Sequence, residues 1–482
     1  MKIRLLLSIL IVTTFFRSFA QTSPNDSIAT KRYLSVGEMQ HDLKYLDKHL
    51  RRWHPTYYTY ADRQQMDIHY RALTNEIDSA KTLSDFRSIV RRAVTKVGCG
   101  HMGVKMPKGT PTTDSLMLMP LQVYCIKNQL FVRAYSENDS LLTVGDEILS
   151  INQVKTDSII TRLAEIETSD GYNTTGKTAW MEQLFNVYHS LVFGIPDSYI
   201  IVKKDGQNIV STVTITPRKF SSSITLFAHH RPDSTDLVIK GNGINLYKTA
   251  TDSKTAIIDL KNFDGKGQCR SYRKMFRHIR ENNIENLIVD LRDNGGGSVF
   301  KGNAFLSYFR KPLIFGPVFS RKPRFVALNP NFKTNFWERI TPILFLGIPF
   351  QYPNRDGWNH YIPFVRKFRN HYSGRTYVIT NGRSFSMAAY VASVLKHKEN
   401  AFTVGEETGG SVYASRGMAG GYIRLPNSKL DVYINIYQLK YGKRTEDNGF
   451  GVLPDLPVDY SINERMRRID KEMEVIKKAI SE

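Results

Sequence analysis

The sequence predicts an α/β protein with a helical N-terminal region and a small β domain ahead of its main α/β domain. In the second half of the chain, strands alternate with helices. A strand at Thr255–Leu260 precedes a helix over Arg270–Asn282, and a second strand follows at Asn286–Leu291. Alternation of this kind is typical of parallel strands covered by helices. We therefore expect the main domain to span residues 240–460.

Residues 21–104 are predicted to form the helical N-terminal region. Apolar residues recur at helical spacing over Met39–Leu50, and further helices fit residues 63–79 and 83–97. Pro55 ends the first of these helices, because proline disfavours helical geometry in the residue before it.

Residues 105–218 change to short strands. A hairpin is predicted through Lys127 and Asn128, and two strands over Tyr199–Ile215 flank an Asp-Gly turn. The run Gly145–Asn152 resembles the Gly-Asp-x-Ile-Leu-x-Ile-Asn-Gly segment of PDZ domains, with Gln153 in place of the last glycine. We predict a PDZ-like domain, with an unrelated small β domain as the alternative.

Two further segments complete the organisation. Residues 319–373 form a long aromatic and basic connection, and connections of that length inside a domain are usually functional or mobile. Residues 461–482 are predicted to form one charged amphipathic C-terminal helix.

Residues 1–20 have the pattern of a secretory signal peptide: a basic start, an apolar run over Leu5–Phe16, and small residues at Ser18 and Ala20. The apolar run is shorter than the roughly 20 residues of a membrane-spanning helix, which disfavours a retained anchor. We expect an exported protein, periplasmic or secreted after cleavage.

Composition excludes several classes of function. The formal net charge is +22, but Lys and Arg are scattered and no nucleic-acid motif is present. Anionic envelope surfaces or acidic peptides are the expected partners of a basic exported protein. The three cysteines are too few and too widely spaced for a zinc cluster or disulfide framework, although one bridge remains open.

Ser386 is the first candidate functional residue. It follows a buried strand at Arg375–Thr380 and a short loop, and it precedes a helical run that begins at Met387. At such a junction the unpaired N–H groups and positive dipole end of the helix stabilise an alkoxide and an oxyanion. The alternative is a serine that caps the helix.

Four motifs occur in the order found in the C-terminal processing (tail-specific) serine peptidase family, which this chain resembles. They are Asp290-x-Arg292-x-Asn294-x-Gly296-Gly297, Ser384-Phe-Ser386, Val404-Gly-Glu-Glu-Thr-Gly-Gly410 and Gly451-Val-Leu-Pro-Asp455. The resemblance implies a crotonase/ClpP-like catalytic core, a serine-type peptidase that acts on peptides or unfolded proteins, and no metal or organic cofactor.

The family has two catalytic variants, and the resemblance favours the one with a histidine base. The lysine of the other variant would fall at Ser411, while Lys396 and Lys398 lie further along the helix after Ser386. The tricorn-core-like variant takes its base from a histidine just before the PDZ-like segment, where Gly100-His101 stands. An imidazole suits this task because its reference pKa lies near neutrality.

An acidic residue should orient the imidazole of His101. The resemblance places it just before Gly451, and we favour Glu446, with Asp447 and Asn448 as alternatives.

The oxyanion hole is expected to combine the N–H of Met387 with that of Gly296 or Gly297, where glycine permits close backbone approach. Arg292 and Asp293 are expected to brace the glycine turn.

The leading hypothesis is an exported serine endopeptidase with Ser386 as nucleophile and His101 as base. Esterase activity has the same chemistry. The alternative from another class is a catalytically weak or inactive peptide- or ligand-binding protein on the same fold. The natural substrate and the oligomeric state are left open.

Overall fold

The structure is a computed structural model, and the residues it describes are 33–108, 110, 117–135, 141–219, 235–249, 252–309, 318–320, 332–334, 351–354, 357–360, 371–415, 417, 420–440 and 448–482. The predicted signal peptide at residues 1–20 and the candidate acid Glu446 lie outside the described residues.

Helices and strands are distributed along the whole described chain. The helices are α1 Val36–Trp53, α2 Arg63–Asn75, α3 Leu83–Thr95, α4 Thr156–Ile166, α5 Thr175–Phe193, α6 Gln268–Glu281, α7 Val299–Leu306, α8 Met387–Glu399, α9 Ile462–Met466 and α10 Lys471–Ser481. The strands are β1 Tyr33–Leu34, β2 Lys81–Thr82, β3 Gly103–Lys105, β4 Met117–Leu118, β5 Leu121–Ile126, β6 Gln129–Tyr135, β7 Glu147–Ile151, β8 Val154–Lys155, β9 Tyr199–Lys204, β10 Val210–Ile215, β11 Arg218–Lys219, β12 Thr235–Lys240, β13 Ile244–Thr249, β14 Thr255–Leu260, β15 Asn286–Asp290, β16 Val318–Ser320, β17 Phe332–Lys333, β18 Gln351–Asn354, β19 Gly357–His360, β20 Arg375–Thr380, β21 Phe402–Gly405, β22 Ala414–Ser415, β23 Gly420–Arg424, β24 Asp431–Asn435, β25 Tyr437–Lys440 and β26 Leu456–Pro457.

Three N-terminal helices begin where the sequence supplies caps. Ser35, Asp62 and Thr82 each form a capping box with the residue three positions later, which pairs N–H groups that the helix leaves free. The predicted helices over residues 39–50, 63–79 and 83–97 are therefore present, with ends shifted by a few residues.

The N-terminal helices share one core with a four-stranded sheet of order β17-β23-β24-β3. Buried Asp42 of α1 accepts the N–H groups of Asn427 (2.9 Å) and Ser428 (2.8 Å) in the turn between β23 and β24. Strand β3, two residues after His101, pairs antiparallel with β24. The helical region and the sheet that fixes His101 are thus one packing unit.

The inserted β unit, residues 117–219, contains a sheet of order β10-β9-β7-β6-β5 with β8 paired to β7. The hairpin at Lys127 and Asn128 is confirmed, and both residues have positive φ (50° and 61°) as a tight turn requires. Helix α5 was not predicted. Its buried residues pack against the strands, and its N-terminal end lies next to the turn before Ser386.

A seven-stranded sheet of order β12-β13-β14-β15-β20-β21-β26 forms the centre of the main domain. From β14 to β26 the neighbours are parallel, as the alternation of strands and helices predicts. Strands β14 and β15 are buried along their whole length, and helices α6, α7 and α8 contribute to the same core.

The connection at residues 319–373 is described only in short pieces, among them β17, β18 and β19. Strands β16, β18 and β19 belong to a five-stranded sheet of order β18-β19-β16-β25-β22. The rest of this connection, and with it the expectation of a mobile segment, lies outside the described residues.

The prediction of one continuous C-terminal helix is wrong, because the segment forms two helices, α9 and α10. Asp470 stands between them, and its side chain accepts the N–H of Met473 as the cap of α10. The same carboxylate receives two hydrogen bonds from Arg292, at 2.9 and 3.0 Å, which fixes the break.

Arg292 forms a buried ionic cluster beneath the end of β15. Its side chain is 1% exposed and pairs with Asp290 (2.9 Å), Asp470 (2.9 Å) and Glu472 (3.2 Å). Burial opposes the charge, but the three carboxylates hold the pKa of the Arg292 guanidinium well above its usual value. The cluster joins the central sheet to α10.

Two general properties follow from the described part of the chain. None of its helices combines the length and the apolar character needed to cross a bilayer. Cys99, Cys125 and Cys269 are free thiols, and no disulfide bridge joins any two of them.

Arg292→Ala should lower the free energy of unfolding by about 3–5 kcal/mol, because it leaves buried carboxylates unpaired. Urea denaturation measures the change. Exposed Arg467 is the matched control, and Arg467→Ala should stay within about 0.5 kcal/mol of wild type. Equal stability of the two variants would contradict a structural role for the cluster.

Candidate active site

The candidate site lies at the carboxyl ends of two neighbouring parallel strands. Strand β15 leads into the glycine turn at residues 293–297, and β20 leads into residues 381–385, the nucleophile turn. In open parallel sheets, loops at this edge commonly bind ligands. The register therefore brings the glycine turn beside the residue that follows the nucleophile turn, Ser386.

Ser386 has a strained backbone, with φ 54° and ψ −115°. Residues other than glycine rarely adopt such angles, and they persist only where surrounding contacts enforce them. Ser386 directly precedes α8, yet its side chain makes no capping hydrogen bond to that helix. The alternative of an ordinary capping serine is therefore wrong.

Ser384 is buried and has a structural role. Its hydroxyl donates to the carbonyl of Leu291 (2.7 Å) and accepts the N–H of Asn381 (3.1 Å). The side chain of Asn381 in turn accepts the N–H of Asp293 (3.1 Å) and donates to the Asp293 carboxylate (3.1 Å). These bonds tie the nucleophile turn to the glycine turn, and Ser386 is the less buried serine of the two.

Asn294 is fully buried and connects three segments. Its amide donates to the carbonyl of Leu260 (2.8 Å), and its side-chain oxygen accepts the N–H of Gly296 (2.9 Å). Its backbone carbonyl accepts the N–H of Phe385 (2.9 Å), the residue before Ser386. Asn294 therefore sets the spacing between the glycine turn and Ser386.

The three predicted oxyanion residues lie close together. A Cβ placed on Gly296 would be 2.8 Å from the Cβ of Ser386 and 2.9 Å from the nitrogen of Met387. Both glycines have positive φ, 105° for Gly296 and 129° for Gly297. Met387 is the first residue of α8, so its N–H has no partner within the helix. The N–H of Gly296 is already bonded to Asn294, which favours Gly297 as the second donor.

His101 lies against Phe385, the residue before Ser386. Its ring and that of Phe385 have centroids 4.4 Å apart, inclined at 38°. On another side, a Cβ placed on Gly417 would be only 2.3 Å from His101 Nε2. The imidazole is thus held between the nucleophile turn and the backbone at Gly417.

A carboxylate that sequence reasoning missed lies near His101. Asp170, from the loop between α4 and α5, is 2% exposed. One of its oxygens accepts the N–H of Gly100 (2.9 Å), and the other accepts the N–H of Ser411 (3.3 Å). No local sequence pattern marks this residue, because its partners are backbone groups far away in the chain.

The candidate acids lie in the segment before Gly451, and the excluded Lys396 lies on α8. Glu446 and Asp447 lie outside the described residues. Asn448 is exposed, and its side chain accepts the N–H of Phe450 (3.1 Å) within its own turn. Lys396 donates to Asp455 (2.7 Å), which agrees with its exclusion as a base.

Cys99, His101 and Asp170 offer one donor atom each, and these atoms lie within 4.8 Å of one another. These donor types suit a transition metal. Acyl transfer at a serine needs a base with a neighbouring carboxylate and no metal. We therefore interpret the group through the chemistry of His101.

Helix α5 of the inserted β unit packs on the nucleophile turn. A Cβ on Gly382 would be 2.3 Å from the carbonyl oxygen of Thr175 and 3.1 Å from Ala179. The Arg383 guanidinium lies 5.4 Å from the ring centroid of Trp180. The close approach requires glycine at position 382 and places the insert directly behind Ser386.

Comparisons with known proteins identify the family of the main domain and the fold that the chain shares with solved structures. Residues 254–458 match the sequence model of Peptidase family S41. Two solved structures, titled as mature CPAF complexed with lactacystin and as mature CPAF, have TM-scores of 0.66 and 0.62 and identities of 14% and 15%. Both cover 92% of this chain, which covers 98% and 96% of theirs. No curated protein sequence matches.

The chain is a serine-type peptidase by class, because it carries a domain of Peptidase family S41, the C-terminal processing protease family. The resemblance expected from the four motifs is confirmed, and proteins or peptides are its class of substrate. The similarity to the two solved structures extends the shared fold over nearly the whole chain.

Gly417→Ala should reduce hydrolysis of fluorescein-labelled casein about a hundredfold, because the added methyl would displace the His101 ring. Gly103→Ala is the matched control, since a Cβ at Gly103 has no neighbour within 4 Å. Equal rates for the two variants would show that the placement of the His101 ring does not limit turnover.

Proposed function

We propose that this protein is an exported serine endopeptidase that cleaves peptide bonds through an acyl-enzyme on Ser386. The observation that carries the proposal is the strained backbone of Ser386 at the first turn of α8, with its hydroxyl left free of a capping role. Strain of this kind is characteristic of nucleophiles held on a sharp strand-to-helix turn.

His101 is proposed as the general base. The Ser386 Oγ attacks the carbonyl carbon of the peptide while its proton passes to a ring nitrogen of His101. The imidazolium then gives that proton to the leaving amine, and a water molecule releases the acyl group in a second cycle. The contact of the His101 ring with Phe385 supports this assignment, because it places the ring beside the nucleophile turn.

The negative oxygen of the tetrahedral intermediate is proposed to bind the N–H groups of Met387 and Gly297, with Gly296 shaping the approach. Preorganised N–H donors stabilise charge as it develops, without reorganisation cost during the reaction. The close contact of Gly296 with Ser386 and Met387 supports this assignment. Glu446 is proposed to orient His101, as the family pattern implies.

The remaining features of the proposal concern location and architecture. The signal-like pattern of residues 1–20 supports export, to the periplasm or beyond. We propose a PDZ-like fold for the inserted β unit, which would bind peptide termini by adding a strand, and a crotonase/ClpP-like fold for the main domain. The high net positive charge supports association with anionic envelope surfaces.

A fluorophosphonate probe should label the wild-type protein on Ser386, and Ser386→Ala should remove both labelling and hydrolysis with little change in thermal midpoint. Ser384→Ala is the control. It should keep labelling but lower the midpoint, because Ser384 holds the nucleophile turn. Labelling that survives Ser386→Ala and disappears in Ser384→Ala would reverse the assignment. A wild-type protein that the probe does not label would favour the ligand-binding alternative.

His101→Ala should lower kcat/KM by about 10²–10⁴-fold, the usual contribution of a positioned base. The comparison variant is His278→Ala, which changes a histidine near the end of α6 and should leave the rate near wild type. Thermal midpoints of both proteins establish that they are folded. Retention of full activity by His101→Ala would remove the histidine from the mechanism.

A further inference from the structure

We propose that Asp170, contributed by the inserted β unit, is a positioning residue for His101. The inference rests on the proposed role of His101 as general base. It assigns to the insert a second task, besides any peptide binding. The insert completes the surroundings of the proposed base, which the N-terminal region carries.

The first argument is the pair of backbone contacts that Asp170 makes. Its carboxylate accepts the N–H of Gly100 at 2.9 Å, so it fixes the peptide unit between Cys99 and Gly100, one unit before the peptide bond to His101. Its other oxygen accepts the N–H of Ser411 at 3.3 Å, in the segment after the Val-Gly-Glu block. One side chain thereby joins the turn that carries the base to the domain that carries the nucleophile.

The second argument is charge. An oxygen of Asp170 lies within 4.8 Å of a ring nitrogen of His101, and Asp170 is 2% exposed. A carboxylate at that range favours the protonated imidazole, which forms during the reaction. Cys99 is the other titratable side chain of this group among the described residues, and it is fully buried.

The third argument is that the loop of Asp170 is itself held. Gly171 donates its N–H to the carbonyl of Gly98 (3.0 Å), and Asn173 donates its amide to the carbonyl of Thr408 (2.9 Å). Gly171 has φ 62°, and a Cβ there would be 2.1 Å from the carbonyl oxygen of Gly449. Such packing fixes the carboxylate before substrate arrives.

Asp170→Asn is the main test, because it keeps the shape of the side chain and removes its charge. We expect the acid limb of the kcat/KM profile to move to lower pH by about one unit, since the imidazolium loses a neighbouring negative charge. The plateau should fall at least about tenfold, because an amide offers only one acceptor oxygen to the two N–H groups of Gly100 and Ser411, and the His101 turn is then held less firmly. Asp170→Glu keeps the charge and should hold the acid limb near its wild-type position while the plateau falls.

Glu407→Gln is the matched control. Glu407 lies at the same junction and also accepts a backbone N–H, from Gly451 at 2.6 Å, together with the hydroxyl of Thr175 at 3.0 Å. It should lower the thermal midpoint and leave the acid limb in place. All profiles are measured on fluorescein-labelled casein below the lowest midpoint of the set.

The outcomes separate the inference from the proposed function. An acid limb that does not move in Asp170→Asn, or that moves equally in Glu407→Gln, overturns the role of Asp170. A shift that is confined to Asp170→Asn and absent from Asp170→Glu supports it. A wild-type protein without hydrolysis or probe labelling would instead overturn the proposed function itself.

Discussion

A single buried asparagine, Asn294, determines the geometry of the candidate site. Asn294 uses its amide, its side-chain oxygen and its backbone carbonyl to hold Leu260, Gly296 and Phe385 at once. Buried polar groups contribute most when every donor and acceptor is paired, and here the pairs belong to three separate segments. The positions of the proposed oxyanion donors relative to Ser386 depend on these bonds, because Asn294, within the glycine turn, binds the residue directly before Ser386.

The strained backbone of Ser386 depends on contacts on both sides of the nucleophile turn. Ser384 is fixed to Leu291, and the backbone of Gly410 approaches so closely that a Cβ there would be 2.9 Å from the nitrogen of Ser386. Behind the turn, Thr175 packs against Gly382. An unfavourable backbone conformation of about 1–3 kcal/mol persists only when its surroundings exclude the relaxed alternatives. The contacts at Ser386 meet that condition without using its hydroxyl.

The sequence predicts those parts of the structure that depend on local patterns. Strands β14, β15 and β20 each contain a short central run of apolar residues, and the motifs around Ser386 are short and contiguous, so both could be located in advance. The roles of Asp170 and Asp470 could not, because their partners lie far away in sequence: Asp170 is 241 positions from Ser411, and Asp470 is 178 positions from Arg292. Helix α5 was missed for a different reason: its residues are apolar on several faces. Glu446 stays a prediction.

The pairing of β3 with β24 has a consequence for biosynthesis. The turn that carries His101 leads into β3, whose partner β24 is synthesised much later, and Asp42 likewise waits for Asn427, 385 positions later. Contacts of such sequence separation make folding slow, since loop closure must precede them. A nascent chain that stops before β24 contains the segment around Ser386, but β3, the strand that follows His101, still lacks its partner β24. Topology thus makes the final placement of the His101 turn a late event in folding, after the segment around Ser386 has been synthesised.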